Sequence, residues 1–219
     1  GLQDLDNFVR GHVPLPQQVQ DDILTVYGLI AEAESHAHGM PVEEIHFHEV
    51  GTMDAIADVT AVCLLMNRLA PDEVVVSPIH VGSGQVRCAH GILPVPAPAT
   101  AFILRDVPIY GGTVQGELCT PTGAALLRHF ATRFGAMPPM RVQAIGYGMG
   151  KKDFEAANCV RAMLGESGSA GGPPGGPGRQ RRGHGGGGRG VPAGGAGGPG
   201  GATGGHGARR EEEVRPRRC

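Results

Sequence analysis

Val19, Ile23, Val26, Ile30, Ala33 and Ala37 recur at intervals of three and four. That spacing lines one face of a 3.6-residue period, so it predicts an amphipathic helix from Pro16 to His38. Gly39 and Pro41 stop it. Glu44 to Val50 reads as a short strand broken by Gly51. A second helix is expected over Met53–Leu69, with Ile56, Val59, Cys63 and Met66 on one stripe and Pro71 beyond its end. Glu73–Val81 is rich in β-formers but contains Pro78, which suits an edge or bent strand. Gly82-Ser83-Gly84 reads as a tight turn, and Val86–Cys88 as extended chain. The run PVPAP at 94–98 also reads as extended, before a short helix near Thr100–Leu104. Val107–Tyr110 and Val114–Cys119 read as strands. Pro121–Phe134 is the third clear helix, followed by strands at Arg141–Tyr147 and Asn158–Leu164. The expected class is α+β, a mixed or antiparallel sheet packed with about three helices.

The chain changes character near Glu166. Residues 167–219 contain 21 Gly, with nine Arg against three Glu, and no Leu, Ile, Phe, Tyr or Met. Such a segment cannot bury enough apolar surface to offset its ordering entropy, so a disordered Gly/Arg-rich tail is expected. Such a tail can be a basic binding arm or a flexible linker, and its composition also suits a GC-rich reading frame translated out of register. The domain expectation is therefore 1–166 folded and 167–219 low-complexity. The whole chain is −2, and the tail accounts for +6, so the folded part is acidic. That excludes a nucleic-acid-binding body. Arg179, Arg181 and Arg182 have no aromatic platform beside them. Five irregularly spaced Cys exclude a disulfide scaffold. Cys63 fits a small core residue. No membrane span or signal peptide is legible, and a cytoplasmic protein is expected.

The chemistry concentrates in IHFHEVGTMDAIAD at 45–58. On a strand, His46 and His48 share a face, with Ile45 and Phe47 on the other. Glu49 falls with Phe47 in a regular strand. Asp54 and Asp58, four apart, share a face of the next helix. Thr52 can cap that helix, whose dipole favours Asp54. Imidazole and carboxylate together suit nickel, zinc, iron or manganese. The competing reading is cross-strand histidines and a helix-start aspartate. Asp58 within an apolar helix is expected to need a partner: Arg87, Arg68 or a metal. His36 and His38 suit a helix C-terminus, and Glu34 can pair with His38.

Three stretches are candidate anion cradles. Gly82, Ser83 and Gly84 precede Arg87 and His90, so backbone N–H groups and a guanidinium fork could face a phosphate or carboxylate. Thr120 fits an N-cap with Pro121 at the first helical position; Thr122 follows in a helix start that could also accept phosphate. Gly146–Lys152 is glycine-rich with two terminal lysines, but lacks the Walker A spacing. His12, His80 and His129 carry no argument beyond surface or core use.

Four motifs together carry a resemblance. VEEIHFHEVGTMDAIADV at 42–59, SPIHVGSGQVRCAHGILPVPAPAT at 77–100, YGGTVQGELCTPTGAALL at 110–127 and IGYGMGKKDF at 145–154 closely resemble the LarC family of nickel-insertion proteins, which mature the lactate racemase cofactor. The resemblance implies Ni²⁺ insertion into pyridinium-3,5-bisthiocarboxylic acid mononucleotide to give the nickel-pincer nucleotide. CTP is cleaved to CMP and diphosphate, with Mn²⁺ or Mg²⁺, and the family is a nickel chelatase of the lyase class. It implies the pyridinium mononucleotide and CTP as partners, no nucleic acid or membrane, and a candidate homo-oligomer. The family's CTP and manganese region and its opening strand are expected to lie outside this chain, as a missing C-terminal half and N-terminal piece. The family raises interest in His46, His48, Glu49, Asp54 and Asp58 for metal, and in Gly82, Ser83, Gly84, Arg87, Thr120 and Thr122 for the mononucleotide. The alternatives are a non-catalytic nickel-binding or storage protein and a structural subunit.

Overall fold

The structure, a computed structural model, describes residues 1–12, 14–45, 53–88, 91–150 and 152–168. Its centre is helix α2 (Gln17–His38), where Val19, Ile23, Val26, Tyr27, Ile30, Ala31 and Ala33 are fully buried. The three-and-four spacing puts them on one broad face, and each large apolar side chain buried there contributes about 1.5–3 kcal/mol. Gly39 ends α2 in the left-handed region (φ 64°) and returns its N–H to the Ser35 carbonyl. Only glycine adopts that conformation without steric cost.

Around α2 pack α1 (Leu2–His12), α3 (Met53–Leu69), α4 (Pro98–Ile103) and α5 (Pro121–Phe130). The described residues thus hold five α-helices where about three were expected. The additional long one, α1, buries only Leu5 and Val9. Leu2, Leu5, Phe8 and Val9 recur at helical spacing along it, a shorter stripe than that of α2. The short helix α4 begins two residues earlier than expected, because Pro98 occupies the first turn, where its missing N–H costs nothing. Helix α5 stops at Phe130 rather than Phe134. Thr132 instead exchanges hydrogen bonds with Val74 through its backbone and hydroxyl groups, and Arg133–Phe134 become a strand.

The strands are short, and both parallel and antiparallel pairings occur. β1 (Val75–Val76) runs parallel to β8 (Arg133–Phe134), and β2 (Ile79–His80) parallel to β6 (Ile109–Tyr110). β3 (Gly82–Ser83) is antiparallel to β7 (Gly116–Glu117), and β4 (Gln85–Cys88) to β5 (Gly91–Pro94). The long strands β9 (Met140–Met149) and β10 (Cys159–Ser167) form an antiparallel ribbon with a bulge at Leu164/Gly165. The fold is α+β, as expected. The break at Pro78 divides β1 from β2.

Val42–Glu44, at the head of the expected strand, form a single 3₁₀ turn, and Ile45 is extended and buried. Residues 46–50 of that strand, and the tail from 169 onward, lie outside the described residues. Among the described residues no helix is long and apolar enough to cross a membrane.

Candidate functional site

Asp54 and Asp58 sit one turn apart at the start of α3, and both are exposed. Asp58, expected to need Arg87, Arg68 or a metal as partner, is exposed, so burial does not oblige it to pair. Its helix looked apolar throughout, but Met53, Leu65 and Leu69 on it are also exposed, at 67, 57 and 53%. A carboxylate in water has no desolvation cost to offset. Among the described residues Asp58 forms no ion pair with Arg68 or Arg87. It does act on Tyr27, the largest fully buried side chain. Burial, and secondarily the Asp58 charge, push that phenol up to about 12. Asp58 therefore lies at the seam between α3 and α2.

His46, His48 and Glu49, the other proposed metal residues, lie outside the described residues, as does Thr52. Among the described residues no three His, Cys, Asp or Glu come together in a group that could hold a metal ion. At the end of α2, His38 Nε2 lies 3.2 Å from Glu34 Oε2, as their spacing of four suggested. The His36 ring packs on Phe102 at 4.4 Å between centroids.

The glycine stretch is built differently from the expected turn. Gly82 and Ser83 are a strand, β3, and Gly82 is buried. Gly82 (φ 88°) and Gly84 (φ 80°) both occupy the region that favours glycine. A Cβ on Gly82 would collide with the Gly116 carbonyl of β7, so close strand approach alone requires the glycine. Ser83 is fully engaged. Its N–H and its hydroxyl both donate to the Val114 carbonyl, at 3.0 and 2.8 Å, and the hydroxyl accepts from Gln115 Nε2 at 3.1 Å. The Gly84 carbonyl accepts from Val95 N–H at 3.0 Å. Arg87 is exposed on β4, opposite Ile92.

Strand β7 runs almost directly into α5. The Leu118 N–H donates to the Val81 carbonyl at 3.1 Å, which brings the helix start beside the β3 stretch. Thr120 is the N-cap, its Oγ1 accepting from Gly123 N–H at 3.3 Å, and Pro121 takes the first helical position. Thr122 is half-buried. Gly82, Ser83, Thr120 and Thr122 thus come from adjoining elements, and β4, which carries Arg87, contacts β7. Phe154, from the segment between β9 and β10, lies against Gly116. In the glycine-lysine stretch, Gly150 N–H donates to the Asn158 carbonyl at 3.3 Å; Lys151 lies outside the described residues.

One polar pair was not anticipated. His129 Nε2 on α5 lies 2.9 Å from Asp22 Oδ1 on α2, with both side chains largely covered. Gln18 Nε2 donates to the same oxygen at 3.1 Å. The available signal was Asp22 itself, one residue from Ile23 on the buried face, where a carboxylate requires a partner. Arg128, next along α5, donates to the Ile103 and Arg105 carbonyls and so caps α4. Cys63 is fully buried, as expected. Burial, and then the Asp22 charge, push its thiol up to about 12; burial, and then Glu117, push Cys119 up to about 11. Without a metal, both thiols stay protonated at neutral pH.

A family profile described as nickel insertion protein matches residues 1–183. The protein from Desulfitobacterium hafniense named pyridinium-3,5-bisthiocarboxylic acid mononucleotide nickel insertion protein is 46% identical over 165 residues, which is 75% of this chain and 41% of the relative. Proteins of the same name from Staphylococcus saprophyticus and a Nocardioides species are 47 and 48% identical over 160 and 161 residues, each 73% of this chain and 41% of the relative. The chain spans about two fifths of the length of these curated relatives. No solved structure matches it. With most of its length aligned at this identity, the chain belongs to the nickel insertion protein family.

Proposed function

We propose that this chain serves the insertion of Ni²⁺ into pyridinium-3,5-bisthiocarboxylic acid mononucleotide, the substrate named for its relatives. The observation that carries the reading is a pair of solvent-open carboxylates, Asp54 and Asp58, one turn apart and soon after His46, His48 and Glu49 in sequence, in a member of this family. Nickel is the cargo. Mixed imidazole and carboxylate ligands bind it and can also release it, whereas a full thiolate set would hold a soft ion more firmly. The sulfur ligands of the product come from the substrate.

The mononucleotide phosphate is assigned to the neighbourhood of the α5 start and Arg87. Thr120 and Thr122 open a helix whose N-terminal dipole attracts an anion, and Arg87 is an exposed guanidinium on a contacting strand. Gly82, Ser83 and Gly84 serve this region by setting the spacing of β3, β4 and β7. The CTP-dependent step exchanges the bond between the α- and β-phosphates for one from water to the α-phosphorus, giving CMP and diphosphate, and Mn²⁺ or Mg²⁺ would neutralise the phosphate charge. It is assigned to the longer family chain. Residues 1–166 are the folded unit of this reading and 167–219 an appendage to it.

Nickel equilibrium dialysis tests the assignment. The paired substitutions His46→Ala/His48→Ala and Asp54→Ala/Asp58→Ala should each weaken Ni²⁺ uptake about tenfold or more, about 1.4 kcal/mol per factor of ten. Unchanged uptake in both variants, with unchanged melting, rejects the site. Mass spectrometry of the pyridinium substrate with nickel, with and without CTP, separates insertion from storage. Nickel uptake with no nickel-containing product under either condition is the storage outcome.

A further inference from the structure

The ribbon of β9 and β10 contains the longest strands among the described residues, and each strand has only the other as a ladder partner there. Both faces expose apolar side chains, and the one that carries Tyr147 also carries Arg161 and Gln143. Ile145, Tyr147 and Met149 lie on one face at 55, 65 and 72% exposure. Val160 and Leu164 lie on the other at 65 and 41%. A sheet with one wet face alternates apolar and polar residues, whereas strands covered on both faces read as near-continuous apolar runs. A hairpin standing alone is marginal in water, and its open edges invite further pairing. Gly146 and Gly148, on the Val160 face, add an independent observation. A Cβ at either would meet nothing within 4 Å, and neither has a positive φ. Nothing in the described fold requires glycine there, and strand glycines mark places where another backbone comes close.

We propose that this ribbon is the interior of a larger sheet, completed by the polypeptide that full-length nickel insertion proteins carry outside the region they share with this chain. A second copy of the chain is the weaker occupant. Its ribbon could extend one edge or cover one face, and would leave the other face wet. The relatives hold more than half their length outside the shared 41%, enough for both further strands and a covering layer. A match of 165 residues within 219 must include residues 55–165, so nearly all of the ribbon belongs to the shared region. The proposal does not depend on the nickel reading.

Hydrogen exchange read by mass spectrometry, on this chain and on the full-length D. hafniense relative, tests it. In this chain, the amides of 140–149 and 159–167 should exchange on the order of 100-fold faster than those of α2. In the full-length relative, the matching ribbon should exchange as slowly as its own α2. Fast exchange of the ribbon in the relative overturns the proposal. So does a protected ribbon in this chain accompanied by a dimer in sedimentation, which assigns the surface to a second copy. A separate measurement is the melting temperature of Gly146→Val in this chain. It should be unchanged or higher, because valine favours strands and its Cβ meets nothing within 4 Å. A clear drop gives Gly146 an internal role and removes that part of the argument.

Discussion

Replacing Gly82 by alanine separates a structural glycine from a ligand-facing one. Two penalties apply at Gly82. Its φ of 88° places an L-residue in a region that costs about 1–3 kcal/mol. The added Cβ also meets the Gly116 carbonyl, which is backbone and cannot rotate away. Relieving that contact means parting β3 from β7, with loss of ladder hydrogen bonds at about 0.5–1.5 kcal/mol each. Together these give roughly 3–4 kcal/mol, or a fall in Tm of roughly 6–16 °C for a chain of this size. Gly84→Ala is the control. Its φ is similar, at 80°, but its Cβ meets only the Gln115 side-chain amide, which can swing aside. What remains is strain, about 1–2 kcal/mol, and the exposed Gln115–Ser83 hydrogen bond lost when the amide moves, about 0.5 kcal/mol, or roughly 3–10 °C in all. The assay is thermal unfolding followed by circular dichroism at pH 7, with both variants beside the parent. If Gly82→Ala melts within about 2 °C of the parent, or above Gly84→Ala, the close-approach argument is wrong. A Gly82→Ala protein that keeps its Tm but loses mononucleotide binding would return the glycine to the role of anion cradle.

Three further outcomes are expected. His129→Ala leaves the largely covered Asp22 carboxylate with Gln18 as its hydrogen-bond donor among the described residues, and should cost about 1–3 kcal/mol in urea unfolding; a change under about 0.5 kcal/mol refutes the pairing. Thr100 is fully buried and its hydroxyl has no hydrogen-bond partner among the described residues, so Thr100→Val should stabilise the fold by about 1 kcal/mol, and a lower Tm refutes this. Cys63, Cys119 and Tyr27 have pKa values raised by burial, from 9.0 to about 12, from 9.0 to about 11, and from 10.0 to about 12. Above pH 9 the unfolded chain releases these protons while the folded chain keeps them, so unfolding becomes easier. Their contribution to stability is full below about pH 9 and declines as pH rises toward 12, which unfolding free energies measured between pH 7 and 10.5 should show; a flat profile above pH 9 contradicts it.

The helices α2 and α3 were legible because their apolar residues repeat over about three turns or more, and α5 because Thr120 and Pro121 mark its start. Local chemistry was legible too: Thr120 caps α5, and His38 meets Glu34 four residues away. Distance in sequence hid other features. Asp22 and His129 are 107 residues apart, and no local pattern joins them. Composition misled at Asp58, because an apolar helix segment need not be a covered one. Glycine misled at Gly82, where the pattern for a turn is also the pattern for two backbones in contact. Of the candidate site, the Asp54 and Asp58 spacing and the helix start at Thr120 could be read in advance. The commitment of the Ser83 hydroxyl could not, because it depends on Val114 and Gln115, more than 30 residues on.

The central position of α2 has a consequence for the order in which the chain assembles. Its contacts with α1 and α3 join neighbours in sequence, so closing them costs little loop entropy and they can form early. The pairings of β1 with β8 and of β2 with β6 span 58 and 30 residues and bring only two residues of ladder each. Such contacts gain little until the helices already hold their ends together. The two short parallel pairs therefore take shape late, on a helical base that persists without them.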